Sequence, residues 1–333
     1  MPDSKKVYID GASIAGLTAA ARLAKFKYQV YVNEPQGIYK NTVIDGFEFD
    51  YAPLFTLPAV YRDFFQKTGK HFGQVLEVKP VEPAFRFIFP DLTIDFANLS
   101  RSERLKEIES KLGEAAAKEW DDLLKEGEYF WDRIRENYLE WEFSIFRADL
   151  KTYLRMRQPI VRNPYLFKIL SHYATYLGYP SGIYKWSHIF AFVEESFGVW
   201  QIKGGTGALV NSLKQRAIEL SVNFEVCEEY DYYIDATQIQ TLPTQRLIGI
   251  RNYPKELPVR TVVFHEDGLS TDIYATQISQ GEYSLVLTGK LDIEEFDDYA
   301  IVDQIREGID GDGDNQVLTK IRTANKRRFK ARH

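Results

Sequence analysis

Apolar and polar positions at the start of the chain follow a strand, turn, helix, strand order. An apolar run at 7–9 precedes a glycine-containing turn at 11–16, an alanine-rich segment at 17–26 and a second apolar run at 29–32. These spacings predict one compact βαβ crossover, because a period of two gives way to a helical period between two short strands.

A second layer is predicted further along the chain. Apolar runs at 85–89 and 92–96 are separated by Pro90 and Asp91, which indicates a hairpin. The segment 114–156 then carries large apolar residues at three- and four-residue spacings, which predicts a helical cap. These residues are Trp120, Leu123, Leu124, Phe130, Trp131, Ile134, Tyr138 and Trp141.

The α/β pattern returns after residue 198. A strand is predicted at 198–202, a turn at 204–207 and a helix at 208–220, followed by strands at 222–226 and 230–235. Beyond them, the remaining apolar runs alternate as in an antiparallel sheet, at 259–264, 271–278 and 283–287. An acidic helix at 294–307 and a basic tail complete the expected order.

The composition of the chain argues against some classes of function. With 42 Lys and Arg against 48 Asp and Glu among 333 residues, the formal charge of −6 gives no overall attraction to nucleic acid. The one cysteine, Cys227, cannot form an intrachain disulfide, and no run approaches the roughly 20 apolar residues of a membrane-spanning helix. We expect a cytoplasmic protein whose membrane contact, if any, is peripheral. The 21 Tyr and 22 Phe could line an apolar ligand channel, although aromatic-rich cores are the commoner cause.

The turn at 11–16 carries the clearest chemical signal. Gly11 and Gly16 occupy the first and third glycine positions of the G-x-G-x-x-G pattern, between a strand and a helix. The first glycine permits the tight turn and the last allows close packing, while a helix that begins at Ile14 and Ala15 offers N–H groups to a diphosphate. Ser13 departs from the pattern, because its side chain takes space that glycine leaves for phosphate.

Glu34 ends the second strand, 18 residues after Gly16. An acidic residue at this position commonly accepts hydrogen bonds from a ribose, so the two features together predict a dinucleotide site. The alternative is a glycine-rich turn beside an ordinary surface carboxylate.

Two later segments resemble a known family. Residues 45–53 are similar to the GF-x-FD-x-GP stretch of phytoene and dehydrosqualene desaturases, flavoproteins related to the amine oxidases. A stronger match is the run Gly198-Val199-Trp200 followed by Gly204-Gly205-Thr206-Gly207-Ala208-Leu209. The resemblance implies that Gly204, Gly205, Thr206 and Gly207 lie beside a flavin, where glycines allow close backbone approach.

The resemblance implies an α/β fold: a Rossmann-like FAD/NAD(P)-binding domain with an inserted domain of mixed β-sheet and helical cap. We expect the nucleotide domain at 1–75 and 191–245, and the substrate domain at 76–190 and 246–333. The implied activity is FAD-dependent removal of hydride from an apolar, isoprenoid-like or amine substrate. The flavin carries this chemistry, so no catalytic side chain is assigned.

Other features of the sequence favour a different interpretation of its function. The Gly-Gly-Arg of the family is replaced by Pro35 to Lys40, and its C-terminal flavin-closing segment has no counterpart. A degenerate, non-catalytic relative that serves as a binding or scaffold partner, in a homo- or hetero-oligomer, therefore stays open. So does an enzyme that uses NAD(P) alone.

No metal site is predicted. The run 310–315 resembles a calcium loop but has Asn315 where glycine is expected and Ile321 at the closing glutamate position. The five histidines lack paired metal-ligand spacing. The tail at 320–332 holds seven basic residues, which suit either a solvated end or contact with anionic lipid or an acidic partner.

Overall fold

The computed structural model describes residues 4–34, 42–50, 54–135, 156–175, 184–237 and 243–307. Several sequence predictions lie outside these residues: the segment from Pro35 to Lys40, the cap residues Tyr138 and Trp141, the calcium-like run at 310–315 and the basic tail at 320–332.

The helices and strands of the described residues are numbered in chain order. The helices are α1 Ile14–Lys25, α2 Pro58–Thr68, α3 Phe72–Val75, α4 Arg101–Leu112, α5 Glu114–Ile134, α6 Pro164–Thr175, α7 Ser187–Phe197 and α8 Gly205–Glu219. The strands are β1 Lys6–Asp10, β2 Gln29–Asn33, β3 Thr42–Ile44, β4 Phe47–Phe49, β5 Leu54–Phe55, β6 Val78–Pro80, β7 Phe85–Ile88, β8 Thr93–Phe96, β9 Trp200–Ile202, β10 Tyr232–Asp235, β11 Gln245–Ile250, β12 Arg260–Phe264, β13 Ser270–Ser279, β14 Glu282–Gly289 and β15 Ala300–Arg306.

The predicted crossover is confirmed. β1 lies at the centre of a three-stranded parallel sheet, with β10 on one side and β2 on the other. Ala19, Ala20 and Ala21 of α1 are buried. Their small side chains let the helix lie close to the sheet, where α1 shares one apolar core with α2, α3 and α8.

The second layer is a seven-stranded mixed sheet in the order β15-β11-β14-β13-β12-β7-β8. All neighbouring strands are antiparallel except β7 and β12, which run parallel. Helices α4 to α7 cover the end of the sheet that contains β7, β8 and β12, and their shared core is rich in aromatic rings. Phe85, Phe87, Phe96 and Trp120 are fully buried there, so core packing accounts for much of the aromatic content.

A short hairpin, β3 and β4, packs on the other end of this sheet. The ring of Phe47 lies directly over Gly249 of β11, where an added Cβ would come within 2.6 Å of the ring. A small apolar core that includes Phe49, Leu247 and Val302 surrounds the contact. The hairpin therefore connects the segment after β2 to the mixed sheet.

Two sequence predictions were wrong. The acidic helix at 294–307 is instead a short 3₁₀ helix at Asp297–Tyr299 followed by β15, which pairs antiparallel with β11. Burial of Val302 against the sheet outweighs the helical preference of the acidic residues. The strand at 222–226 is reduced to a single bridge between Asn223 and Tyr31.

Some boundaries also differ from the predicted ones. Helix α8 begins at Gly205, so the turn before it is shorter than the 204–207 expected, and β11 has no counterpart among the predicted strands. Strand β6, from the expected substrate segment 76–190, pairs with β9 from the expected nucleotide segment. The division into two domains stays a prediction.

Candidate functional site

The candidate site begins at the carboxyl edge of the parallel sheet. Asp10 ends β1 and is in register with Asn33 at the end of β2 and with Asp235 at the end of β10. Ligands of open α/β sheets bind outside this edge, where the following helix N-terminus also lies. The predicted turn and Glu34 therefore meet at one edge.

The two glycines of the turn are required by internal packing. Gly11 has a φ of +112°, and a Cβ on it would lie 2.4 Å from the carbonyl oxygen of Ala236. A Cβ on Gly16 would lie 2.1 Å from the carbonyl oxygen of Gly11. The structural part of the prediction, a tight turn and close packing, is confirmed, while the binding role of these residues stays a prediction.

Ser13 caps helix α1. It is fully buried, and its Oγ accepts a hydrogen bond from the N–H of Gly16 at 3.1 Å. The N–H of Leu17 donates to the carbonyl of Ser13 at 2.8 Å. No acceptor for the N–H groups of Ile14 and Ala15 is found within the described residues. These two amides, at the positive end of the helix, are the ones left for an anion.

Glu34 forms an ion pair with Lys214 of α8. The lysine Nζ lies 2.9 Å and 2.6 Å from the two carboxylate oxygens. Both side chains are partly exposed, so the pair contributes little to stability. The sequence predicted the position of Glu34 but had no sign of Lys214, which reaches it from a helix 180 residues away in sequence.

Further carboxylates at this edge were missed from the sequence. Asp10 accepts hydrogen bonds from the Asn33 amide at 2.8 Å and from the Tyr233 hydroxyl at 3.2 Å. Burial, followed by the nearby Asp10 and Asp235 carboxylates, raises the pKa of Tyr233 to about 12. Asp235 accepts from the N–H of Thr237 at 3.0 Å. The edge is therefore more acidic than the glycine pattern suggested.

The second predicted glycine turn opens helix α8. Gly204 and Gly205 have φ values of +80° and +66°, and Gly207 lies in the first turn of the helix. The buried Asp50 carboxylate accepts a hydrogen bond from the N–H of Thr206 at 2.6 Å. An added Cβ on Gly205 would lie 2.0 Å from the same oxygen. Asp50 thus occupies the N-terminus of this helix, and its place in the desaturase-like segment was the available sequence signal.

A buried polar cluster lies between the mixed sheet and the helices. Glu194 is paired with Arg260 at 3.5 Å and Glu195 with Arg104 at 3.4 Å. Burial raises the pKa of Glu194 to about 7, against the lowering effect of Tyr173 and Arg104. No local pattern predicts this cluster, because the two glutamates of α7 meet one arginine from α4 and one from β12.

Two buried histidines lie in the same layer. His172 is paired with Asp272 at 3.1 Å, and burial lowers the pKa of His188 to about 4. Within the described residues, no three His, Cys, Asp or Glu side chains gather as metal ligands. Among the helices of those described residues, none combines the length and the apolar character needed to cross a bilayer.

Comparison with known proteins supports the resemblance found in the sequence. No family model matches the chain. A 4,4'-diapophytoene desaturase of Staphylococcus haemolyticus is 30% identical over 277 residues, which cover 75% of this chain and 54% of that protein. A 4,4'-diapolycopene oxygenase of Methylomonas is 26% identical over 68% of this chain and 50% of that protein. The chain spans about half the length of these curated relatives.

Solved structures support the fold. A protein of Pyrococcus furiosus aligns with a TM-score of 0.58 at 12% identity, over 90% of this chain and 88% of that one. An engineered putrescine oxidase also aligns with a TM-score of 0.58, at 13% identity over 91% and 84% of the two chains. The predicted Rossmann-like fold with a mixed sheet and the resemblance to carotenoid desaturases are confirmed.

Proposed function

We propose that the protein is an FAD-dependent oxidoreductase of the carotenoid-desaturase type that removes hydride from an apolar, isoprenoid-like substrate. The observation that carries this proposal is the βαβ crossover, which leaves the N–H groups of Ile14 and Ala15 available at the carboxyl edge of the sheet. Curated relatives named as a desaturase and an oxygenase of diapocarotenoids support the substrate class.

The adenosine diphosphate end of FAD fits this edge. The two amides would hold the diphosphate, and Gly11 keeps the turn free of a Cβ. Glu34 would accept hydrogen bonds from the ribose. To do so, the carboxylate gives up its exposed pairing with Lys214, which costs at most about 1 kcal/mol.

The residues expected beside the flavin are less open to the cofactor than those at the turn around Gly11. Asp50 already accepts from the N–H of Thr206, so this helix N-terminus is less open to a ligand than the turn at Gly204 suggested. When bound, the flavin supplies the hydride acceptor. This chain's residues would hold the two ends of the cofactor and keep water from the substrate, and no side chain is assigned as a catalytic residue.

The alternative is a non-catalytic relative that acts as a binding or scaffold partner, and a specific observation favours it. Ser13 and Asp50 satisfy amides at the two helix N-termini from within the chain, and Asp10 and Asp235 add negative charge where a diphosphate would lie. Each feature weakens anion binding. Contact with membranes and oligomer formation also stay proposals.

Absorption spectroscopy of the purified protein, before and after addition of FAD, tests the proposal. We expect oxidised-flavin bands that are released on denaturation. Glu34→Gln should weaken FAD binding about tenfold, because a charged hydrogen-bond acceptor is lost. Asp122→Asn is the matched control, since Asp122 also forms an exposed pair with a lysine, Lys118, and lies in α5 rather than in either predicted glycine turn. Protein that stays colourless with added FAD would support the non-catalytic alternative instead.

A further inference from the structure

A cavity of about 330 Å³ lies at the carboxyl end of α2, away from the turn described above. Its lining residues are Arg62, Gln66, Gly69, Lys70, His71 and Phe72. Three of these side chains are basic, one is an amide and none is acidic. The volume is at the small end of the range for ligand-binding pockets.

The sequence around α2 explains how these groups face one space. Arg62 and Gln66 are four residues apart on the helix and therefore share a face. Gly69 ends the helix with a φ of +93°, a left-handed conformation that glycine adopts without steric cost. The resulting turn brings Lys70 and His71 to the same cavity.

Two further cations lie beside the cavity. A Cβ built on Gly69 would be 3.5 Å from both Lys25 Nζ and Arg216 Nη2. The neighbouring carboxylate is that of Glu219, whose Oε2 is 2.6 Å from Arg216 Nη1 and 3.3 Å from Lys70 Nζ. The region is thus strongly positive in a chain whose formal charge is −6.

Capping of the helix end accounts for Arg216, which donates to the carbonyl of Thr68, but not for Arg62 or His71. The N–H groups of Gly69 and Lys70 donate to the carbonyls of Gln66 at 3.0 Å and Phe65 at 2.8 Å. Arg62 and His71 are exposed and form no side-chain hydrogen bond or ion pair with any described residue. Their donors are therefore available to a ligand.

We propose that this cavity binds a phosphate monoester group. A guanidinium, an ammonium, an imidazole and an amide around one space match a tetrahedral dianion with several acceptor oxygens, and arginine can hold two of those oxygens at once. The cavity adjoins Lys25, at the opposite end of α1 from the turn at Gly11, about 18 Å along the helix. It is therefore separate from the proposed FAD site.

The phosphate could come from a soluble molecule or from a lipid headgroup. Phe26, beside Lys25, is 66% exposed, and Val60 of α2 is 44% exposed. Apolar side chains next to basic ones suit a lipid surface. The experiment therefore has one arm for each source.

Calorimetry with inorganic phosphate, and sedimentation with phosphatidylcholine vesicles that contain either phosphatidic acid or phosphatidylserine, test the full chain. Arg62→Gln should weaken phosphate or phosphatidic acid binding at least tenfold. Lys67→Gln is the matched control: it removes one charge from the same helix, where Lys67 pairs with Asp63 outside the cavity, and should change binding less than twofold. Unchanged urea midpoints would show that both variants are folded.

Each result decides the proposal. Phosphate binding that Arg62→Gln abolishes supports a soluble ligand, and the same loss with phosphatidic acid vesicles alone supports a lipid headgroup. Equal binding to phosphatidylserine, binding that Arg62→Gln leaves intact, or no binding in either arm would overturn it. Because FAD binding is measured separately by absorption, failure of the proposed redox function would not affect this result.

Discussion

The carboxylate of Asp50 accepts a hydrogen bond from the backbone N–H of Thr206, with 2.6 Å between the two atoms. The two residues are 156 positions apart and belong to the two segments that resemble carotenoid desaturases. Asp50 is buried and satisfies an amide that the first turn of α8 would otherwise leave without a partner. A structural role therefore explains part of the resemblance.

We predict that Asp50→Ala destabilises the protein by about 1 to 2 kcal/mol, the usual loss when a helix cap is removed. Asp50→Asn should lose less, because an amide oxygen can still accept the hydrogen bond. Urea unfolding measures both. The control Asp63→Ala removes an exposed carboxylate paired with Lys67 and should change stability by no more than about 0.5 kcal/mol. Equal losses at the two aspartates would contradict the capping role.

Gly16→Ala should destabilise the protein by about 3 kcal/mol or more, because overpacking forces the backbone to shift. The added Cβ would lie 2.1 Å from the Gly11 carbonyl, and backbone cannot move aside as a side chain can. Gly73→Ala in α3 is the control, since its Cβ would meet only His71 at 3.6 Å. Equal urea midpoints for the two variants would contradict the close packing at Gly16.

Ser13→Gly should tighten FAD binding about tenfold, because the N–H of Gly16 becomes available to a phosphate oxygen. The loss in stability should be only a few tenths of a kcal/mol, since glycine is tolerated at the N-cap. Flavin fluorescence titration measures the affinity. Ser100→Gly is the control, because Ser100 begins α4 without a side-chain capping bond. Unchanged affinity in Ser13→Gly would show that Ser13 does not limit binding.

The contribution of Glu194 to stability should fall as pH rises from about 5 to 7. Burial raises the pKa of this carboxyl to about 7, so the folded protein retains a proton that the unfolded chain releases. Relative to Glu194→Gln, the wild type should lose roughly 2 to 3 kcal/mol across this window and change little above it. Urea unfolding at several pH values measures the difference.

The comparison with Glu194→Gln is needed because His188 acts in the opposite direction. Burial lowers the pKa of His188 to about 4, so its contribution to stability is lost as pH falls through the range from 6.5 to 4. Glu77→Gln, at an exposed position, is the control, and its difference in stability from the wild type should not depend on pH in this way. A constant gap between the wild type and Glu194→Gln at every pH would contradict the raised pKa.

Local patterns predicted the elements whose signals are short-range. The crossover at 7–32, the hairpin of β7 and β8 and the three antiparallel strands β12 to β14 were all expected from apolar spacing and turn residues. The helix expected at 294–307 failed because its acidic residues carry a local preference, whereas pairing of β15 with β11 depends on a distant strand.

The sequence alone determined the βαβ turn and the need for glycine at 16, because both depend on residues close together in the chain, and it identified the two desaturase-like segments from their own residues. The packing of Gly11 against Ala236 needed the tertiary structure. Only the tertiary structure decided which groups complete the site, with Lys214 opposite Glu34 and Asp50 on Thr206, and which charges meet in the buried cluster, such as Glu194 and Arg260. Such contacts join residues far apart in sequence, and their energies depend on burial and distance, which no local pattern specifies.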